Sequence, residues 1–176
     1  IQFISARLGS HVEGRQLDDD VAMLFRMSDG ASGVLLASQV CAGEENPLKI
    51  RVYGDKGGLE WRQEEPASLI HRPLNESMRV LRSGVGQPWL CAAANQRMRL
   101  PAGHPEGYLE AMANLYGDLA EAILHDTGRH QAPGVPGIET GLRGMAFIET
   151  AIANHLGNAK WSEIPGQLTG ATNNDE

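Results

Sequence analysis

The sequence predicts an α+β domain, a predominantly antiparallel open sheet with helices packed on one face. Short strand-like runs bounded by turn residues fill its first half, and two long segments with helical apolar spacing fill its second half. Strands and helices nowhere alternate as βαβ units, so the sheet is expected to be an antiparallel meander.

The strands follow in order. "IQFISARL" (1–8), "VAMLFRM" (21–27) and "SGVLLASQV" (32–40) read as three strands, with Asp29-Gly30 supplying a tight turn between the last two. In "PLKIRVYG", Leu48, Ile50 and Val52 alternate with Lys49, Arg51 and Tyr53, the period of a half-buried strand. "GDKGG" turns this strand into "LEWRQ", and "SLIHR" (68–72) and "ESMRVLR" (76–82) continue the series. From Ser83 to Gly103 the periodicity dissolves, apart from a short helix expected within "PWLCAAANQRM". A stretch of that length without a repeating pattern is usually functional or mobile.

The first long helix follows Pro105. Tyr108, Met112, Leu115, Leu119 and Ile123 form its apolar stripe, and Glu106 and Glu110 fall in its first turns, where carboxylates complement the helix dipole. Gly128 is the expected stop, with His125 and His130 near the C-terminal end. The second helix is expected over residues 138–156, with a stripe of Ile138, Leu142, Met145, Ile148, Ile152 and Leu156 and an end at Gly157. Gly141 and Gly144 each cost about 1 kcal/mol inside a helix, so a close neighbour is expected there. Residues 1–165 are read as one domain and residues 166–176 as a flexible tail.

A chain of 176 residues is long enough for one core, and the 41% apolar and 21% charged composition is that of a soluble globular protein. The formal net charge of −7 argues against nucleic acid as a partner, because phosphate binding needs clustered Lys and Arg. No apolar run approaches the roughly 20 residues of a membrane span, and a cytoplasmic location is expected. The opening "IQFISARLGS" reads as a strand rather than a signal peptide, so the chain is expected to begin inside a larger protein. Cys41 and Cys91 lack metal spacing and are expected to be buried or half-buried free thiols.

Few residues offer chemistry. "GDKGG" is read as a turn between strands, and no GxGxxG follows a strand and opens a helix. Asp18 to Asp20 lack the further oxygen ligands of a calcium loop and are read as a solvated strand entrance, and Ser10-His11 as an exposed loop. No catalytic residue and no metal ligand is assigned. His104 is the candidate binding residue. Pro105 fits a first helical position, which would place His104 at the N-cap. Histidine is not a favoured cap, and the free N–H groups of a helix start can face an oxygen-rich ligand. Composition alone leaves cap and ligand contact equally open.

At "RLPAGHPEGYLEAMANLYGDLAEAI" the sequence resembles the C-terminal domain of the Gfo/Idh/MocA family, the glucose–fructose oxidoreductase and inositol dehydrogenase group. "LDDDVAMLFRMSDGASGVLLASQV", "NPLKIRVYGDKGGLEWRQEEP" and "GLRGMAFIETAIAN" resemble that domain's central hairpin, next strand pair and final helix, in the same order. The resemblance implies a glyceraldehyde-3-phosphate dehydrogenase-like C-terminal domain. It also implies a parent that oxidises or reduces a sugar or polyol with NAD or NADP, and a homo-oligomer joined through the open sheet face. The family's Rossmann glycine fingerprint and its Glu-Lys-Pro motif are not found in this sequence. Its Asp/His pair is not matched at His11 either, since Arg7 stands four residues earlier. The chain is therefore expected to supply a wall of the substrate pocket, with His104 in it, and to bind no dinucleotide by itself. The alternative is a non-catalytic binding or dimerisation module derived from the same fold.

Overall fold

The computed structural model describes residues 1–124 and 134–166, so the readings placed on His125, Gly128, His130 and the residues after Gly166 lie outside the described residues. In chain order the strands are β1 (Phe3–Gly9), β2 (Asp20–Arg26), β3 (Ser32–Ser38), β4 (Lys49–Gly54), β5 (Gly57–Arg62), β6 (Ser68–Pro73), β7 (Arg79–Arg82) and β8 (Ser162–Glu163). The helices are α1 (Ala92–Gln96), α2 (Tyr108–Leu124) and α3 (Ile138–Leu156). The antiparallel α+β reading holds, and its strands are divided between two sheets, β3-β2-β1-β8 and β4-β5-β6-β7. The described residues form two compact units, residues 1–43 with 136–166, and residues 44–124 with 134–135.

In the first unit β2 pairs with β1 and β3 along full-length ladders, so every second residue faces the same side. Ile4 and Met23 point to the side covered by α3, where they bury with Ala151 against Phe147, Phe25, Val21 and Leu35. Full burial of a side chain such as Ile4 contributes about 1.5–3 kcal/mol. Phe25 lies across the strand from Gly33 and its ring occupies the space a Cβ would need, which explains a glycine inside a strand. On the other side of the sheet Leu24, Val34 and Leu36 are exposed.

The periodicity of α3 points away from the face the helix uses. Phe147, Thr150, Ala151 and Asn154 meet the sheet side, whereas Ile138, Leu142, Met145, Ile148, Ile152 and Leu156 are all exposed. The close neighbour expected at Gly141 and Gly144 is not there either, since a Cβ at either position would meet nothing within 4 Å among the described residues. Asn154 shows why the polar-containing face wins. Its Oδ1 accepts from the Ala6 N–H at 2.7 Å, and its Nδ2 donates to the Ala159 carbonyl and to Ser162 Oγ. The two-residue β8, held on β1 opposite Phe3 and Ile4, is an element with no alternation to read in the sequence.

In the second unit the tight turn at 54–57 fixes the register of β4 and β5. Gly57 has a φ of 146° and faces the Arg72 carbonyl so closely that a Cβ would not fit. β7 begins at Arg79, three residues later than the alternation suggests. Both cysteines are free as expected, but exposed rather than buried or half-buried.

Candidate functional site

The expected N-cap at His104 is corrected by the structure. α2 starts at Tyr108, directly after Gly107, whose carbonyl accepts from the Ala111 N–H. The Glu110 carboxylate reaches back to the Gly107 N–H at 2.7 Å, the reciprocal half of a capping box. That hydrogen bond holds the Glu110 carboxyl below its ordinary range. Pro105 and Glu106 therefore precede the helix. Glu106 is buried, and its carboxylate accepts from the N–H groups of Arg99 and Leu100, locking residues 99–106 into a loop.

His104 sits on that loop. A turn closed by its N–H on the Pro101 carbonyl, with Gly103 at a φ of 93°, fixes its backbone. Its imidazole is exposed and has no hydrogen-bond partner among the described residues. It borders a cavity of about 230 Å³ whose other walls come from the β5–β6 turn, residues 65–68, and from Arg82. These walls are rigid for local reasons. Ser68 is buried opposite Arg82 in the β6–β7 ladder and receives a hydrogen bond from its guanidinium at 2.9 Å. The Trp61 indole N–H donates to the Pro66 carbonyl at 3.0 Å and fixes the turn from its other side.

Next to this cavity, sharing Pro66 and Glu106 with it, is a second one of about 260 Å³ against Trp61, Met98, Tyr108 and Asn114. Asn114 and Asp118 anchor α2 to Arg97, through the Arg97 carbonyl at 3.3 Å and its guanidinium at 2.6 Å. The first cavity thus presents an imidazole with one donor and one acceptor beside a guanidinium with spare donors, an arrangement suited to hydroxyl groups. Glu106 is committed to backbone N–H groups and is not free for proton transfer.

The acidic run at Asp18–Asp20 is not a solvated entrance throughout. Asp19 is buried and accepts from the N–H groups of His11 and Val12 at 2.8 and 3.1 Å and from Arg15 at 3.3 Å. Burial alone pushes its carboxyl up, but those bonds and the Arg15 charge hold it below the ordinary carboxylate range. Its partners are protein donors, and no group of three or more His, Cys, Asp or Glu among the described residues is placed to hold a metal. His11 is exposed, as expected of its loop.

Among the described residues, neither α1 nor α2 offers its start to a pyrophosphate. Pyrophosphate binding needs a strand feeding a helix through a glycine turn. Here α1 is five residues long and follows a nine-residue loop, and the Gly107 donor at the start of α2 is taken by Glu110.

Fold and cavity together define the chain as an α+β protein whose second unit carries a concavity lined by His104, Arg82 and Ser68. Residues 1–60 match the GFO/IDH/MocA C-terminal domain. Over those residues the chain resembles a C-terminal domain of the Gfo/Idh/MocA kind, as its sequence suggests. It is 42% identical to an oxidoreductase from Sinorhizobium meliloti, with a TM-score of 0.79 over 91% of this chain and 45% of that one. It is 30% identical to an inositol dehydrogenase homolog from Azotobacter vinelandii, complexed with NADH and myo-inositol, with a TM-score of 0.81 over 92% of this chain and 44% of that one. It is also 30% identical over 154 residues to the uncharacterized oxidoreductase YfiI of Bacillus subtilis, covering 84% of this chain and 38% of the relative. The chain spans less than half the length of each. No helix among the described residues is long and apolar enough to cross a membrane.

Proposed function

We propose that residues 1–165 serve as the substrate-side and subunit-contact domain of an oxidoreductase that acts on a sugar or polyol with NAD or NADP. In this reading the dinucleotide is held outside these residues, and His104 lines the substrate pocket. The observation that carries it is the unpartnered His104 imidazole on a loop locked by Glu106, beside Arg82 and Ser68 in a cavity of about 230 Å³. The likeness at 30% identity to a homolog complexed with NADH and myo-inositol supports the cofactor and the substrate class.

The misplaced cap simplifies the test. With the helix start at Gly107 and Tyr108, a change at His104 removes no cap. His104→Asn in the full-length parent is expected to leave Tm unchanged. It should lower kcat/KM for the polyol substrate at least about tenfold, or about 1.4 kcal/mol of transition-state stabilisation. Unchanged kinetics would remove His104 from the pocket. The second reading, a non-catalytic module, is favoured by the commitment of the buried Glu106 carboxylate to the Arg99 and Leu100 N–H groups, which leaves it unavailable for proton transfer. It requires that the full-length parent transfer no hydride between NAD(P) and any polyol.

A further inference from the structure

The polar face of the sheet β4-β5-β6-β7 carries an unbalanced charge cluster. Glu60 lies at the centre of β5 with its carboxylate fully buried, between the buried Gly58 and the exposed Arg62 on the same face of the strand. Four cations cover it: Arg62 at 2.6 Å, Arg51 at 2.8 Å, Arg72 at 3.1 Å and Lys49 at 3.6 Å. Their side chains are 41–46% exposed. One carboxylate neutralises one charge, so three remain in excess on a chain whose formal net charge is −7. Lys49 and Arg62 are also directly opposite each other in the ladder, a like-charge pairing that destabilises a sheet.

We propose that this face docks a protein surface rich in carboxylates. Two features select that partner over a small anion. The guanidinium donors that converge do so on Glu60, and the three arginine side chains are still 43–46% exposed, with donors beyond those bonds. The cations also span three strands, roughly 10 Å at a strand spacing of about 4.8 Å. Several separated carboxylates match a spread array; a single phosphate needs converging donors. The partner's charges relieve the repulsion among the four cations, and the attraction steers its approach.

The test uses poly-L-glutamate as probe and inorganic pyrophosphate as comparison, titrated into the chain at low and high salt. Saturable binding of poly-L-glutamate is expected, weakening steeply with salt, with pyrophosphate binding much more weakly. Lys49→Gln with Arg72→Gln is expected to lower the affinity at least about tenfold. Lys49→Gln alone, which leaves all three guanidinium bonds to Glu60 in place, is expected to lower it in the same direction with an unchanged Tm. The proposal is overturned by an absence of saturable binding, by equal binding to wild type and variants, or by pyrophosphate binding as tightly as the polymer. A dimer that occludes the face and dissociates in Lys49→Gln would assign it to a second copy, and would likewise overturn it.

Discussion

Asn154 of α3 completes the hydrogen bonding of Ala6 on β1. The short β8 pairs only with Phe3 and Ile4, and at Ala6 the Asn154 Oδ1 takes over the edge of the strand at 2.7 Å. His155 continues the arrangement, its Nδ1 accepting from the Leu8 N–H at 3.3 Å. One helical turn thus acts as an extension of the sheet.

Replacing Asn154 with alanine leaves a half-buried N–H without its acceptor and also frees Ala159 and Ser162. A loss of about 3 kcal/mol is expected from the unsatisfied donor and the three missing bonds. For a chain of this length that lowers Tm by about 6–12 °C. Amide exchange at Ala6 should accelerate more than at Ala22 in β2; equal acceleration would mean that Asn154 supports the fold generally rather than this edge.

The Glu60 cluster makes stability depend on acid. Burial pushes the Glu60 carboxyl up, but hydrogen bonds from Arg62 and Arg51, with the charges of Arg51 and Lys49, outweigh it and bring it to about 2, from an ordinary 4.5. A carboxyl depressed in the folded state stabilises it fully above 4.5, and the contribution is lost as pH falls from there through about 2. Glu60→Gln is therefore expected to lower Tm at pH 7 and to reduce the dependence of Tm on pH between 5 and 2. Parallel Tm curves for wild type and variant over that range would contradict the assignment.

Asp19 ties down the loop between β1 and β2 through His11, Val12 and Arg15. Asp19→Asn keeps the size of the side chain but removes its charge and one of the two equivalent acceptors. Trypsin cleavage after Arg15, which pairs with Asp19 in the native loop, is expected to accelerate several-fold at pH 7. If cleavage is unchanged, the carboxylate does not hold the loop.

Much of the fold was legible because its signals are local. Alternation located β4, turn glycines located the hairpins, and α3 occupies the expected residues 138–156. The site was legible only in part. Gly107 and Glu110 were in plain view as a helix start, yet Pro105 drew the boundary three residues too early. The apolar stripe of α3 misled for a different reason, because Asn154 and Thr150 are polar side chains whose partners come from distant chain segments or from the preceding helical turn. The Glu60 cluster depends on the register of three strands, which no window of sequence contains.

The last prediction concerns the outer face of the first sheet. Leu24 pairs with Val34 and Ala22 with Leu36, so these four residues form one contiguous apolar strip on the side away from α3. Leu36 is 75% exposed and Val34 66%. An antiparallel sheet can leave one face to water, but a continuous aliphatic strip gains about 25 cal/mol for each Å² it buries against a partner. Two copies can meet on this strip about a two-fold axis, each presenting the same patch to the other. Sedimentation of the chain at micromolar concentration is expected to give about twice the chain mass of 19.0 kDa. Val34→Lys with Leu36→Lys places four like charges in the closed interface, and is expected to return the chain to a monomer without lowering its Tm at low concentration. A wild-type monomer, or a dimer that survives both lysines, would show that this face is not where the copies meet.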